Sequence, residues 1–132
     1  MIKPTTINGE EWMVVWSVHA MNRTYERRSH PQVAQVALED VFQKILCIHP
    51  SFMEDYDGVS SIRSFPNLAY FVVDISNERK EIGVVTYSDI TRTYPKQGDR
   101  VVTINPKGEV TCCIWNNQNE THNAARLGKI AV

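Results

Sequence analysis

Asn8-Gly9-Glu10-Glu11-Trp12-Met13-Val14-Val15-Trp16-Ser17-Val18-His19-Ala20 can form either a helix or a strand at its centre, and the architecture of the chain follows from which it is. Asn8 to Glu11 fits a capping box, with Asn8 as the helix N-cap and Glu11 reaching back to it. Trp12, Val15, Trp16 and His19 then recur at helical spacing, whereas Met13 to Trp16 taken alone has the composition of a short strand. In the second case Ser17 caps a helix that runs to about Arg28. The pattern predicts helix from Ser17 onward and leaves the run Trp12–Trp16 open between the two.

Downstream, Ser29-His30-Pro31-Gln32 reads as an N-cap at Ser29, a proline in the first turn and a capping-box glutamine. Val33, Val36, Ala37, Val41, Ile45 and Ile48 follow at three- and four-residue intervals, one apolar stripe of a second helix. Pro50 disfavours helix at His49, which ends the element near Cys47 or Ile48. Ser51 to Pro66 reads as a loop with a turn at Asp57-Gly58. Leu68–Ile75 and Ile82–Tyr87 are β-rich runs separated by the polar Asn77–Glu81, an antiparallel hairpin. Arg100–Ile104 and Val110–Trp115 flank the turn Asn105-Pro106-Lys107-Gly108 and make a second hairpin. The tail after Asn116 is polar, with Ala124–Leu127 a candidate helical turn. The expected fold is α+β: one domain over residues 1–132, two N-terminal helices packed on an antiparallel sheet of about four strands.

A chain of 132 residues with 42% hydrophobic and 22% charged side chains is long enough to bury a core and too apolar for disorder. No apolar run approaches the roughly 20 residues that cross a bilayer. Met1–Asn8 has no apolar signal region, so the expectation is a cytoplasmic protein with no membrane partner. Cys47, Cys112 and Cys113 cannot all pair, and no metal-ligand spacing appears, which points to reduced structural thiols. A net charge of −1 excludes a chain that coats nucleic acid wholesale, so any RNA contact has to be a local patch. Arg23, Arg27 and Arg28 form such a patch, while acids gather at Glu39-Asp40 and Glu54-Asp55-Asp57.

Within the first helix His19, Arg23 and Arg27 fall at i, i+4 and i+8, stacked on one face. An imidazole that exchanges a proton then lies one turn from two permanent cations, a grouping suited to a phosphodiester; the plain alternative is a solvated helix face. Trp12, Trp16, Tyr70 and Phe71 read as core, and Trp115 as the aromatic most open to solvent. His30, His49 and His122 read as loop or cap residues, and Arg63 or Arg92 as candidates to line a groove with the helix.

The pattern His19-x-x-x-Arg23-x-x-Glu26-Arg27 resembles the H-x-x-x-R-x-x-[EQ]-R helix of the RelE superfamily of small bacterial and phage proteins, toxins among them. It is most similar to the RegB-type phage endoribonucleases. Val41-Phe42-Gln43-Lys44-Ile45 extends the similarity into the second helix, and the later strands agree in fold class only. The resemblance implies metal-independent, cofactor-free cleavage of mRNA, in which a ribose 2′-hydroxyl attacks its own phosphate. By position His19 carries the proton transfer, Arg23 stabilises the charge that builds on the phosphoryl oxygens, and Arg27 or Arg28 holds flanking phosphates. It further implies mRNA, free or on the ribosome, as substrate and an antitoxin or host protein as partner. The family pattern has a second histidine where this chain has Gln43, which cannot exchange a proton. A second acid or base has to come from elsewhere, with Glu10, Glu11, His49, His122 and Tyr87 as candidates. Two other functions stay open: a non-catalytic module that binds RNA or protein through the basic helix, and a small phage-type inhibitor that uses the acidic loop Glu54-Asp55-Tyr56-Asp57.

Overall fold

Trp12–Trp16 is strand. Asn8 and Gly9 take φ of 51° and 80°, the paired left-handed residues of a two-residue hairpin turn. The residues expected to cap a helix instead join β1 (Ile2–Ile7) to β2 (Glu10–Trp16), with Ile7 directly opposite Glu10. Trp12, Val14 and Trp16 alternate inward along β2 and are buried, the period-two pattern of a half-buried strand. The helix does begin where Ser17 predicts it: α1 is Val18–Glu26, with Ser17 as its N-cap.

The computed structural model describes residues 1–90, 95–116 and 124–130. After α1 come α2 (Pro31–Ile48), the single turn α3 (Phe52–Asp55), β3 (Gly58–Ser64), β4 (Ala69–Ser76), β5 (Glu81–Asp89), β6 (Arg100–Ile104), β7 (Glu109–Ile114) and β8 (Ala125–Lys129).

The expected architecture of two helices on about four antiparallel strands is overturned by the sheet. Among the described residues it has eight strands, in the order β1-β2-β5-β4-β3-β6-β7-β8. It is also mixed, because β2 pairs with β5 and β3 with β6 in parallel. Both expected hairpins, β4–β5 and β6–β7, are present and antiparallel. Three further strands escaped the hydrophobic pattern. The segment expected to be a loop contains β3, whose buried positions include Ser60, Ser61 and Ser64 rather than a run of apolar residues. β8 stands where a helical turn was expected; it is an edge strand with no fully buried side chain. β1 likewise buries only Thr5 and Ile7.

α2 is capped by His30 and not by Ser29: the His30 ring Nδ1 accepts the Gln32 N–H at 3.1 Å, with Pro31 in the first turn. Its buried face is Ala34, Gln35, Leu38, Val41, Phe42, Ile45 and Leu46. Val33 and Val36, placed on the inward stripe by spacing, are 63% and 64% exposed. The Trp16 indole donates to Gln35 on α2 and its ring meets the edge of Phe71. Phe71, Val73 and Ile75 of β4 therefore face α2, while Tyr70 and Val72 face the other side of the sheet. The sheet bends far enough around α2 that both of its edges, β1 and β8, touch the helix. At the β8 edge Gly128 comes so close that an added Cβ would lie 3.1 Å from Ile48 Cδ1. No described helix is long and apolar enough to cross a membrane.

Candidate nucleic-acid interface

β2 stays in register with β5 only as far as Trp16 opposite Val84. From there α1 takes its place beside the second half of β5. Ser17 makes the junction: its N–H donates to Val84 O at 3.1 Å, and its hydroxyl donates to Val85 O at 3.0 Å while accepting the Ala20 N–H at 2.9 Å. A bulge at Val72/Val73 shifts the β4–β5 pairing, so that Val72 faces Thr86 and Val73 faces Val84, a local bend in the strand. Ala20 and Thr24 are the buried positions of α1. Arg23 and Arg27, from the adjoining helix faces, come to lie beside Thr86 and Ser88.

The result is a groove of about 450 Å³ on the side of the sheet away from α2. Arg23 and Arg27 form one wall, and Tyr70, Val72, Thr86 and Ser88 the floor. Lys96 and Asp99 form the opposite rim. They belong to one tight turn, in which the Asp99 N–H donates to Lys96 O at 3.0 Å and Gly98 takes φ 90°, a backbone position that a side chain resists. The Lys96 N–H in turn donates to Asp99 Oδ2 at 2.8 Å.

Three cations thus surround one hollow, and they are not equally free. Arg23 donates to Glu26 at 2.8 Å in a solvent-exposed pair, which contributes little and yields readily to a better anion. Arg27 has no ion pair among the described residues, and its Nε is buried without a hydrogen-bond partner. Such a donor is uncommon in a folded protein. Arg27 also lines a neighbouring hollow of about 290 Å³ with Arg28, Glu26 and Asp89. Arg28 holds φ 56°, with its N–H on Tyr25 O and the Ser29 N–H on Thr24 O, the helix-ending motif that usually has glycine there. On the floor, Tyr70 donates to Ser61 Oγ at 3.0 Å. Burial, with Asp99 close by, pushes its hydroxyl above the usual tyrosine range, so near neutrality it is a hydrogen-bond donor and not a base.

Of the residues singled out by sequence, Arg23 and Arg27 are brought together at this groove and Arg28 next to it. His19 is exposed and is not among the residues lining the groove. Gln43 is exposed on α2. Among the candidates for a second acid or base, Tyr87 borders the groove, Glu10 pairs with Lys80 at 3.4 Å, and Glu11 is exposed on β2. His49 closes α2 and lies 2.8 Å from Asp55, which also accepts from Ser51. The acidic loop is partly occupied in this way, since Asp57 accepts the Asn77 N–H at 2.7 Å and Tyr56 stacks on Phe52. Arg63 stacks on Trp115. Arg92 and His122 lie outside the described residues.

Thr86, Ser88, Lys96 and Asp99 went unnoticed in sequence, because topology alone brings β5 and the 96–99 turn beside α1. Cys47, Cys112 and Cys113 form no disulfide, and burial pushes the Cys112 thiol above the usual range, which disfavours its reactive thiolate form. Among the described residues no three His, Cys, Asp or Glu side chains converge as a metal site. The chain matches no protein-family model, no curated protein and no solved structure.

Proposed function

We propose that the protein binds single-stranded RNA in the groove between α1 and the 96–99 turn. The observation that carries this reading is the gathering of Arg23, Arg27 and Lys96 around one hollow of about 450 Å³ in a chain whose net charge is −1. Arginine forks match pairs of phosphate oxygens and keep their charge at every accessible pH. A trough walled on both sides suits one backbone and not a duplex, and Thr86, Ser88 and Tyr70 line its floor. The resemblance of the His19–Arg27 pattern to the RelE-superfamily helix points to the same ligand. Binding without turnover is the reading preferred, because His19, the expected proton carrier, is off the groove and position 43 is glutamine.

Metal-independent cleavage by 2′-hydroxyl attack is the second reading. One observation favours it: the Asp99 carboxylate lies across the groove from two arginines, a base opposite charge stabilisers.

The test is one set of samples read twice. Labelled RNA is titrated with protein in EDTA over a salt series, by fluorescence anisotropy, and the same tubes are run on a denaturing gel. The expected result is intact RNA, with affinity falling by a log–log slope of roughly 0.7 per phosphate contacted. Arg23→Gln and Arg27→Gln each lower that slope by about one contact. RNA binding that neither substitution alters would mean that the groove is not the binding site. Strand breaks with 2′,3′-cyclic ends, lost in Arg23→Ala or Asp99→Asn, would establish the enzyme instead.

A further inference from the structure

A second hollow, of about 480 Å³, adjoins the groove and shares Val72 and Asp99 with it. Val59, Val72 and Ile114 give it apolar lining, and Ser61, Asp57 and Arg100 its polar margin. Arg100 is held in place there by Ser60 Oγ at 2.7 Å and by the carbonyls of Tyr56 and Asp57. Asp99 therefore stands at the junction of a cationic compartment and a more apolar one of similar size. Its Oδ2 accepts from the Lys96 backbone, and its second carboxylate oxygen has no partner among the described residues. A free carboxylate oxygen beside a bound phosphate chain is repulsive unless the ligand brings a donor to it.

We propose that Asp99 accepts a hydrogen bond from a ribose 2′-hydroxyl and so selects RNA over DNA, the phosphate lying toward Arg23 and Arg27 and the base in the Val59–Val72–Ile114 hollow. This rests on the groove being an RNA site. Phosphate contacts are blind to the sugar, whereas a carboxylate acceptor distinguishes a nucleotide with the hydroxyl from one without it. Two joined compartments fit the repeat of a nucleic-acid chain, one taking charge and the other a flat, largely apolar ring. Ser61, whose oxygen accepts from Tyr70, has a hydroxyl proton to donate to the base edge.

The experiment compares three labelled strands of one mixed sequence on the full chain at low salt: RNA, DNA and 2′-fluoro RNA, which keeps an RNA-like sugar and has no hydroxyl donor. RNA binds roughly tenfold or more tightly than either of the others. Asp99→Asn, whose amide oxygen still accepts the Lys96 N–H, brings RNA to the affinity of DNA. DNA binding itself is unchanged or tightened by that substitution, because a negative charge leaves the groove. Equal wild-type affinity for RNA and 2′-fluoro RNA overturns the inference even if Asp99→Asn does not fold, as does an RNA preference that survives in a folded Asp99→Asn. If no strand binds the wild-type protein, the RNA reading of the groove fails, and this inference falls with it.

Discussion

The Trp16 indole Nε1 donates to Gln35 Oε1 at 2.6 Å where the two residues are 3% and 1% exposed. The other end of the same amide donates to Thr5 Oγ1 and to Glu39 Oε1, each at 3.0 Å. One glutamine thus ties α2 to both strands of the N-terminal hairpin, at the point from which α1 departs. Gln35→Leu keeps the volume and strips an otherwise buried N–H of its partner. The expected loss is about 1–3 kcal/mol, read as a lower urea midpoint at unchanged slope. A midpoint equal to wild type would mean that the network does not hold the hairpin.

The closure of the sheet onto α2 is tested at Gly128. Its φ is 151°, and an added Cβ would lie 3.1 Å from Ile48 Cδ1 and 3.2 Å from Ile48 Cβ. The second of these atoms is fixed to the helix backbone and cannot swing aside. Gly128→Ala is expected to destabilise by about 1–3 kcal/mol, through overpacking and backbone strain together. Thermal unfolding of the two proteins checks it, and a substitution without effect would mean that β8 does not dock on α2.

These two positions also show what the sequence could reveal. The helices and the two later hairpins were legible because their apolar spacing or turn residues are strong local signals: Ser17, Pro31, and the Asn105–Gly108 turn. The β1–β2 hairpin was hidden because Asn8-Gly9 followed by two glutamates satisfies a capping rule as well as a turn rule, and only the pairing partner decides. β3 was hidden because it buries serines, which carry no hydrophobic period. The arginines of the groove were legible from their helical spacing, but Lys96 and Asp99 are brought to it by a crossover that no local pattern encodes.

Acid stability is expected to depend on Asp40. Its Oδ2 accepts from Asn67 Nδ2 at 2.8 Å and from Lys44 Nζ at 2.7 Å. Partial burial opposes ionisation, yet the Asn67 and Lys44 contacts together hold the carboxyl below the usual range. With the folded value below the unfolded one, the stabilisation is complete above about pH 4 and is lost as pH falls through the folded value. Asp40→Asn is expected to be the less stable protein at neutral pH and to show a flatter decline on the acid side. Urea midpoints measured from neutrality down to the acid limb decide it; parallel curves for the two proteins would contradict the assignment.

Arg28 occupies a left-handed position at the end of α1, where a side chain costs roughly 1 kcal/mol relative to glycine. Arg28→Gly is therefore expected to leave stability unchanged or to raise it slightly, since relief of strain offsets the greater freedom of the unfolded chain. RNA affinity is expected to fall in the same variant, because a cation beside Arg27 is gone. A clear loss of stability without loss of binding would show that the guanidinium serves the fold and not the ligand.

RNA bound as proposed lies against Arg23, Arg27 and the Lys96–Asp99 turn. Backbone amide spectra of the isotope-labelled protein, followed as a short single-stranded RNA is added, test it most directly. Shifts are expected at Arg23, Arg27, Thr86, Ser88, Lys96 and Asp99, with the outer face of α2 around Val33 and Val36 undisturbed. Shifts gathered on α2 or around Glu54–Asp57, or no shifts at all at low salt, would contradict it.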